Sequence, residues 1–525
     1  MRDFHLPGRS PVLSLNGMCA TSHPLAAREA VAVLERGGNA MDAAIAGAVL
    51  LGLCEPAMTG LGGDLFALVS PAGTENVKGF NGSGRAAAKA DAATLRAEGH
   101  TSVPLRSPWA VTIPGAVDGF CRLSETYGRL GLDAVLAPAI HHAEAGIPVA
   151  PRVAWDFAAR HETFNDTARR HFLPGGKVPG VGALMRAPGQ AEVLRRIAAQ
   201  GASAFYEGEV AEDMVAALKA LGGPQELSDF AAVEGTPTEP VSAVYKGIEM
   251  LEHPPNGQGA TALLLLNILS HFDISSMDPF GTARAHIEAE ATKLAYDARN
   301  RFLADPDHTT RLDHMLSPDT AARLAALIRP DGVITDVTGA AGAVHRDTVY
   351  ITVVDRDRMA VSLIYSIFNG FGSGIASEKF GILFQNRGAG FTLAEGHPNE
   401  MAPGKRPMHT IIPGMLRENG RVIMPFGVMG GAYQSTGHTR FLSNIKDFGM
   451  DPQEAIDGPR AFWDAGALQL ERGYAPEVAA ELEALGHRVV TPDAAIGGAQ
   501  AILIGEDGVL TGGSDPRKDG CAIGY

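Results

Sequence analysis

Thr348 follows a run of small and polar residues, Thr338 to Asp347 (TGAAGAVHRD), and opens the β-branched and aromatic segment Thr348-Val-Tyr-Ile-Thr-Val-Val-Asp355. A hydroxyl at the head of a buried strand, directly behind a non-periodic connector, is placed for one kind of chemistry. Its oxygen can attack the carbonyl of Asp347, the acyl group shifts from nitrogen to oxygen, and hydrolysis releases a new chain end. The freed α-amine, with an ordinary pKa of about 7.7 to 8.0, then stands beside its own hydroxyl as a base. Spacing alone is a weak signal for this chemistry, since many threonines begin strands, and by itself it favours an ordinary strand residue.

The next run, Met359-Ala-Val-Ser-Leu-Ile-Tyr-Ser366, follows a short Arg-Asp-Arg turn, so the two segments read as a hairpin. If the turn centres on Asp357, Ser366 lies opposite Thr348, with Cβ atoms about 4.5 to 5.5 Å apart. Arg-Asp-Arg is a weak turn signal, and a slip of one residue is the alternative.

Upstream elements must support that hairpin. Ala27, Ala30, Val31 and Leu34 form one stripe of a helix that Gly37-Gly38 stops. A second helix, starting near Ala40 and closed by Glu55-Pro56, is apolar nearly all round and is expected inside the core. The loop Thr59-Gly-Leu-Gly-Gly-Asp64 leads into a strand, Leu65 to Val69, whereas a phosphate-binding glycine loop opens a helix; it reads as a tight turn. Residues 115 to 330 read as predominantly helical, with stretches such as Glu209 to Leu221 and Ala283 to Phe302, and after Thr348 strand follows strand. No repeat that would build a solenoid or propeller is present.

Composition narrows the classes. The 525 residues are 45 % hydrophobic and 20 % charged, which suits a globular core and excludes a disordered or fibrous chain. With 44 bases against 59 acids the net charge is -15, and no basic cluster offers a surface to nucleic acid. Cys19, Cys54, Cys121 and Cys521 form no CxxC pair and read as reduced, mostly buried thiols. Pro7, Gly8, Arg9 and Pro11 interrupt any leader-like apolar run, and Ala40 to Cys54 falls short of the roughly 20 residues of a membrane span; a cytoplasmic protein without membrane contact is expected. His141-His142 and the pair His286 and Glu290 have metal-ligand spacings without a third ligand in view, and they read as solvated or core residues. Ser373 lacks the first glycine of a GxSxG elbow, because Phe371 stands there.

Several motifs run in order along almost the whole chain: Glu35-Arg-Gly-Gly-Asn-Ala-Met-Asp-Ala-Ala44, Thr59-Gly-Leu-Gly-Gly-Asp64, Val111-Thr-Ile-Pro-Gly-Ala-Val-Asp-Gly119, Ala204-Phe-Tyr-Glu-Gly208, Pro403-Gly-Lys-Arg-Pro407, Met429-Gly-Gly-Ala432 and Ser514-Asp-Pro-Arg517. With the Thr348 segment they resemble the γ-glutamyltranspeptidase family. The resemblance implies a proenzyme of the N-terminal-nucleophile hydrolase fold, an α+β four-layer αββα sandwich, cut into a helix-rich large subunit, 1–347, and a small subunit, 348–525. It implies Thr348 as nucleophile and Asp347-Thr348 as the processing junction. Ser366 falls at a second hydroxyl that bonds the nucleophile, and Gly430 and Gly431 at the backbone oxyanion hole. Glycine suits that last role, since donors must come within about 2.7 to 3.1 Å of the developing oxyanion. No metal or organic cofactor is implied.

The pocket departs from that of authentic γ-glutamyl enzymes. The family's arginine position reads Phe80-Asn81-Gly82, with Arg85 the nearby guanidinium; its asparagine position reads Phe368, beside Asn369. The loop Phe384-Gln-Asn-Arg-Gly-Ala-Gly390 carries Arg387 where the family has an amide and Gly390 where it has a carboxylate, and its serine pair is His409-Thr410. A buried ammonium without a counter-charge is costly. Arg387, His409, Thr410, Asn369 and Arg85 are therefore expected to bind an anionic amide lacking an α-amino group, with Arg387 forking onto its carboxylate. The pattern looks like the branch of the family that includes oxamate amidohydrolase and glutathione hydrolase-like members. The expected partners are a small amide and the two subunits of one precursor, assembled as a homodimer of the processed heterodimer. The alternatives are a γ-glutamyltransferase or glutathione hydrolase, and a non-catalytic binding protein that keeps the fold.

Overall fold

The computed structural model describes residues 5, 8–335 and 348–525, so the connector before Thr348, and Asp347 with it, lies outside the described residues. Val349–Val354 and Ala360–Ser366 form the expected hairpin, with Val349 paired to Tyr365 and Ile351 to Leu363, the register that puts Ser366 across from Thr348. On one side the hairpin pairs with Met18–Thr21 and then Cys521–Gly524; on the other it pairs with Asp64–Ser70, Lys78–Gly82 and Thr236–Thr238. All seven strands are antiparallel to their neighbours.

Side chains of a strand alternate between faces, and here each face meets a different layer. Val349, Ile351, Val353, Val361, Leu363 and Tyr365 enter one core with the helices Pro24–Glu35 and Ala40–Cys54. Val354, Ala360, Leu68 and Met18 point the other way and meet Leu251, Met415, Ile502 and Leu510 of a second seven-stranded sheet. That sheet runs Val12–Ser14, Leu510–Ser514, Gly498–Ile504, Arg421–Met429, Gly414–Glu418, Ile248–Glu252, Val241–Tyr245. Its outer face, through Met250, Leu416, Met424 and Phe426, packs on helices Gly259–Leu269, Thr282–Phe302 and Gln434–Phe448. The layers are therefore helix, sheet, sheet, helix. The helix Ala40–Cys54 is buried all round except at Leu53, as its uniform apolarity predicts. Gly47 lets it lie directly on the sheet, since a Cβ there would strike Ile351.

One expectation is corrected. The helical stretch between 115 and 330 contains Thr236–Thr238, Val241–Tyr245 and Ile248–Glu252, which supply an edge to each sheet. These strands are short, and their period-2 signal is weak beside the long Ala- and Leu-rich helices around them. All four cysteines are free thiols; Cys19 and Cys54 are buried, Cys121 and Cys521 half-buried. Among the described residues no helix is long and apolar enough to cross a membrane.

The Thr59 to Asp64 loop is a turn, closed by Gly63 N–H donating to the Gly60 carbonyl at 2.9 Å. Its glycines allow close backbone approach: a Cβ on Gly62 would run into the carbonyl of Leu383, and one on Gly63 into that of Ser366. The Gly62 carbonyl in turn accepts from Gln385 N–H at 3.0 Å. Gly62→Ala is expected to lower the unfolding free energy by about 1–3 kcal/mol. Chemical denaturation measures it, and an unchanged midpoint would mean that the 383–384 backbone can retreat at no cost.

Candidate active site

Thr348, Ser366 and Asp64 stand side by side on three adjacent strands, on the face turned toward the second sheet, where Asp64 is the register partner of Ser366. The Thr348 hydroxyl is buried and donates to Ser366 Oγ at 3.3 Å. Ser366 Oγ also accepts from Phe368 N–H at 2.9 Å and from Arg387 Nη2 at 3.2 Å. Phe368 has φ +80°, a conformation that a bulky residue rarely adopts. Its ring lies against the guanidinium of Arg387, 4.0 Å from the centroid.

Arg387 heads a short 3-10 turn, Arg387–Gly390, and is completely buried. Nη1 donates to Thr410 Oγ1 at 3.0 Å and Nη2 to Ser366, while Nε has no partner. No carboxylate among the described residues forms a hydrogen-bonded ion pair with it. Burial pulls its pKa down to about 9, opposed by the charge of Asp64, so it is protonated at neutral pH.

Sequence reasoning missed Asp64. Its Oδ1 accepts from Gly84 N–H at 2.9 Å, Gly115 N–H at 3.2 Å and Gln385 Nε2 at 2.9 Å, and its Oδ2 from His409 Nε2 at 3.2 Å. Burial pushes its pKa up to about 6 against the pull of Arg387 and these donors. The signal that could have found it was an acid directly behind a glycine turn at the start of a buried strand, a motif read for its glycines alone. His409 Nδ1 accepts from Ile411 N–H at 3.4 Å, which assigns its proton to Nε2. Burial and then the charge of Arg387 hold its pKa well below the usual histidine value, so the ring is neutral.

Two expected binding residues are corrected by this geometry. His409 spends its one N–H on Asp64, so it supports the pocket rather than offering a donor to a ligand. Arg85 turns away: Nη1 donates to the Gly404 carbonyl at 3.0 Å and lies 3.5 Å from Asp305, with its side chain 43 % exposed. A loop arginine follows whichever carboxylate and carbonyl the fold brings within reach. In the Phe80-Asn81-Gly82 segment, Asn81 is buried, its amide donating to Asn256 Oδ1 at 2.8 Å and its Oδ1 accepting from Ser83 Oγ at 2.7 Å. Asn369 is buried beside Phe368, and its N–H donates to Asn386 Oδ1 at 3.1 Å.

Gly430 and Gly431 join the end of Arg421–Met429 to a 3-10 turn that runs into helix Gln434–Phe448. Their φ values are +118° and +58°, and a Cβ on Gly430 would lie 2.8 Å from Gly497 Cα. Only glycine suits both demands. The start of a 15-residue helix also adds a partial positive charge near this turn. Gln258, another residue the sequence did not single out, ties this turn to the pocket: Nε2 donates to the Gly431 carbonyl at 3.0 Å and to the Thr410 carbonyl at 2.6 Å, and Oε1 accepts from Arg299 at 2.9 Å.

Away from this site, the pair His286 and Glu290 gains the third group that the sequence did not reveal, since His487 Nε2 lies 2.8 Å from His286 Nδ1. Lys293 Nζ, 2.6 Å from Glu290 Oε1, already supplies the positive charge there. The cluster fastens the chain at Arg329 and Ile334, through His286 Nε2 to the Arg329 carbonyl and Ile334 N–H to Glu290. It therefore reads as a clamp.

The helix–sheet–sheet–helix sandwich is the fold of the N-terminal-nucleophile hydrolases. The chain belongs to the γ-glutamyltranspeptidase family, whose model matches residues 26–525. It is 36 % identical over 98 % of its length to the glutathione hydrolase-like YwrD proenzyme of Bacillus subtilis (99 % of that protein) and 35 % identical over 98 % to the oxamate amidohydrolase proenzyme of Klebsiella pneumoniae (99 % of that protein). The crystal structure of a cephalosporin acylase from Bacillus halodurans superposes with a TM-score of 0.91 at 36 % identity, covering 100 % of this chain and 99 % of that one. The protein is a proenzyme hydrolase of this family acting on amides.

Gln258→Leu keeps the volume and removes the donors to both carbonyls. We expect kcat for amide hydrolysis to fall about tenfold or more while KM changes less than about threefold, since the loss acts on the Gly430 turn. Steady-state kinetics with a parallel melting curve measure it; an unchanged kcat would separate Gln258 from the site.

Proposed function

We propose that the chain cleaves itself between Asp347 and Thr348 and then hydrolyses a small amide bearing a carboxylate, of the oxamate kind, through an ester on Thr348. The observation that carries the substrate reading is Arg387: a fully buried guanidinium, protonated at neutral pH, with two N–H groups on hydroxyls and Nε unspent. A carboxylate beside it would supply the partner that it lacks. Asp64 is a carboxylate in the same region, but four protein N–H groups occupy its oxygens, so it has little to offer a substrate ammonium.

In the mature enzyme the α-amine of Thr348 takes the proton of its own hydroxyl, and Oγ attacks the amide carbon. The N–H groups of Gly430 and Gly431 hold the oxyanion, and Ser366 orients Oγ. The amine leaves with the proton, and water resolves the ester by the same route. The fragments 1–347 and 348–525 remain joined after the cut, because strands of both interleave in both sheets: Val349–Val354 lies beside Met18–Thr21, and Gly414–Glu418 beside Ile248–Glu252. The other reading, a γ-glutamyl hydrolase, draws on the likeness to the glutathione hydrolase-like proenzyme of Bacillus subtilis.

Purified protein is expected to give two bands on a denaturing gel, of 347 and 178 residues, the smaller with Thr348 at its N-terminus; Thr348→Ala should give one inactive band. Active wild-type protein that stays uncut would overturn the mechanism. Oxamate and γ-glutamyl-p-nitroanilide assayed side by side decide the substrate, with oxamate expected to give the higher kcat/KM. Arg387→Lys, which loses the fork, should raise KM for oxamate by about tenfold or more.

A further inference from the structure

Arg387 and Asp64 are a buried cation and a buried anion that are held next to each other without touching. Arg387 hydrogen-bonds Ser366, the strand partner of Asp64, and Gln385, two residues before Arg387, hydrogen-bonds Asp64. Asp64 does not reach the guanidinium because its oxygens are taken by Gly84, Gly115, Gln385 and His409. The guanidinium keeps its free edge, and the carboxylate acts on it through space alone.

Resting on the reading of Arg387 as the group that takes the substrate carboxylate, we propose that Asp64 is a specificity-determining positioning residue. It balances Arg387 while the pocket is empty, and thereby sets how strongly the pocket takes an anion. A dry pocket with an uncompensated guanidinium would hold any small anion tightly, chloride and carboxylate products included. With Asp64 ionised, an arriving carboxylate must share Arg387 with an anion already there, so weak non-cognate anions are rejected and the product carboxylate is released. The same residue holds His409 as the neutral Nε2–H tautomer, which keeps a second positive charge out of the site.

The other charged or titratable groups whose fields reach Asp64 are Arg406, Tyr206 and Tyr365, together with Arg387 and His409. The tyrosines, pushed up by burial, stay neutral through the physiological range, and Arg406, at about 10, stays charged. Asp64 is thus the member of this set that changes charge near pH 6. Protonation below that pH removes the balancing anion, so anion affinity rises as pH falls. The Thr348 α-amine titrates higher, at about 7.7 to 8.0 in its ordinary state, and gives a separate inflection.

The test measures competitive inhibition of oxamate hydrolysis by trifluoroacetate, which stays ionised from pH 5 to 8, in wild type, Asp64→Asn and Arg387→Gln. The asparagine Oδ1 can still accept from Gly84, Gly115 and Gln385, and its Nδ2 can donate to His409 Nε2 after a change of tautomer that gives up the 3.4 Å bond from Ile411 N–H. We expect Ki for Asp64→Asn to be about tenfold lower than wild type at pH 7.5. The wild-type Ki should fall toward the variant's value through an inflection near pH 6 that the variant lacks. Equal Ki values at pH 7.5 with no wild-type inflection, while Arg387→Gln abolishes inhibition, would overturn the role of Asp64 and leave the substrate reading standing. Inhibition that is absent from both wild type and Asp64→Asn throughout pH 5 to 8, or indifferent to Arg387→Gln, would overturn both. If Asp64→Asn does not fold, the wild-type profile alone decides by the presence or absence of the inflection near pH 6.

Discussion

A slip of one residue between Val349–Val354 and Ala360–Ser366 would turn every side chain of one strand to the opposite layer, sending Ser366 among the helices while Thr348 stayed between the sheets. The apolar alternation forbids it. Val349, Ile351 and Val353 on one strand, and Val361, Leu363 and Tyr365 on the next, must all face the helix Ala40–Cys54, and burial of each large apolar side chain is worth about 1.5–3 kcal/mol. Hydrophobic register thus aligns the row of polar groups Thr348, Ser366 and Asp64 at the end of the inter-sheet layer. The site is a by-product of how two cores are filled.

That row is tolerable in a dry interior because almost every polar atom in it is satisfied by a neighbour in the same layer. Asp64 collects four N–H donors, and Arg387 spreads over two hydroxyls and the ring of Phe368. The exceptions include Arg387 Nε and Gln385 Oε1, both on the loop behind Ser366 and Asp64, and an unsatisfied buried group costs about 1–3 kcal/mol. A ligand that meets the guanidinium recovers part of that cost. Binding strength at such a site comes as much from what the empty pocket leaves unpaired as from the contacts the ligand adds.

The Gly430 turn is braced from behind by the last part of the chain. Asp515 of the terminal Ser514-Asp-Pro-Arg517 motif pairs with Arg460 and Arg517 and accepts from Ala499 N–H at 2.7 Å. Arg460 donates to the Ile496 carbonyl at 2.6 Å. This network sets Gly497 against Gly430, where no Cβ fits. A motif far from Gly430 in the chain is therefore a support for its turn, and the buried charges within it are paired, as burial requires.

The hairpin, its register, the buried helix and the glycine turn were legible in the amino-acid order because each depends on residues within a few positions of one another, where periodicity and turn chemistry act. Thr348 and Ser366 could be paired on paper for that reason. The family motifs pointed to Gly430, Gly431 and Arg387. Only the folded chain decided that Asp64 faces Arg387, that His409 spends its proton on Asp64, that Arg85 turns to Gly404, and that His487 joins His286. These partners come from segments far apart in the chain. A charged side chain in a loop takes the direction in which the assembled layers leave it a counter-charge or a hydrogen-bond partner, and no local pattern encodes that direction.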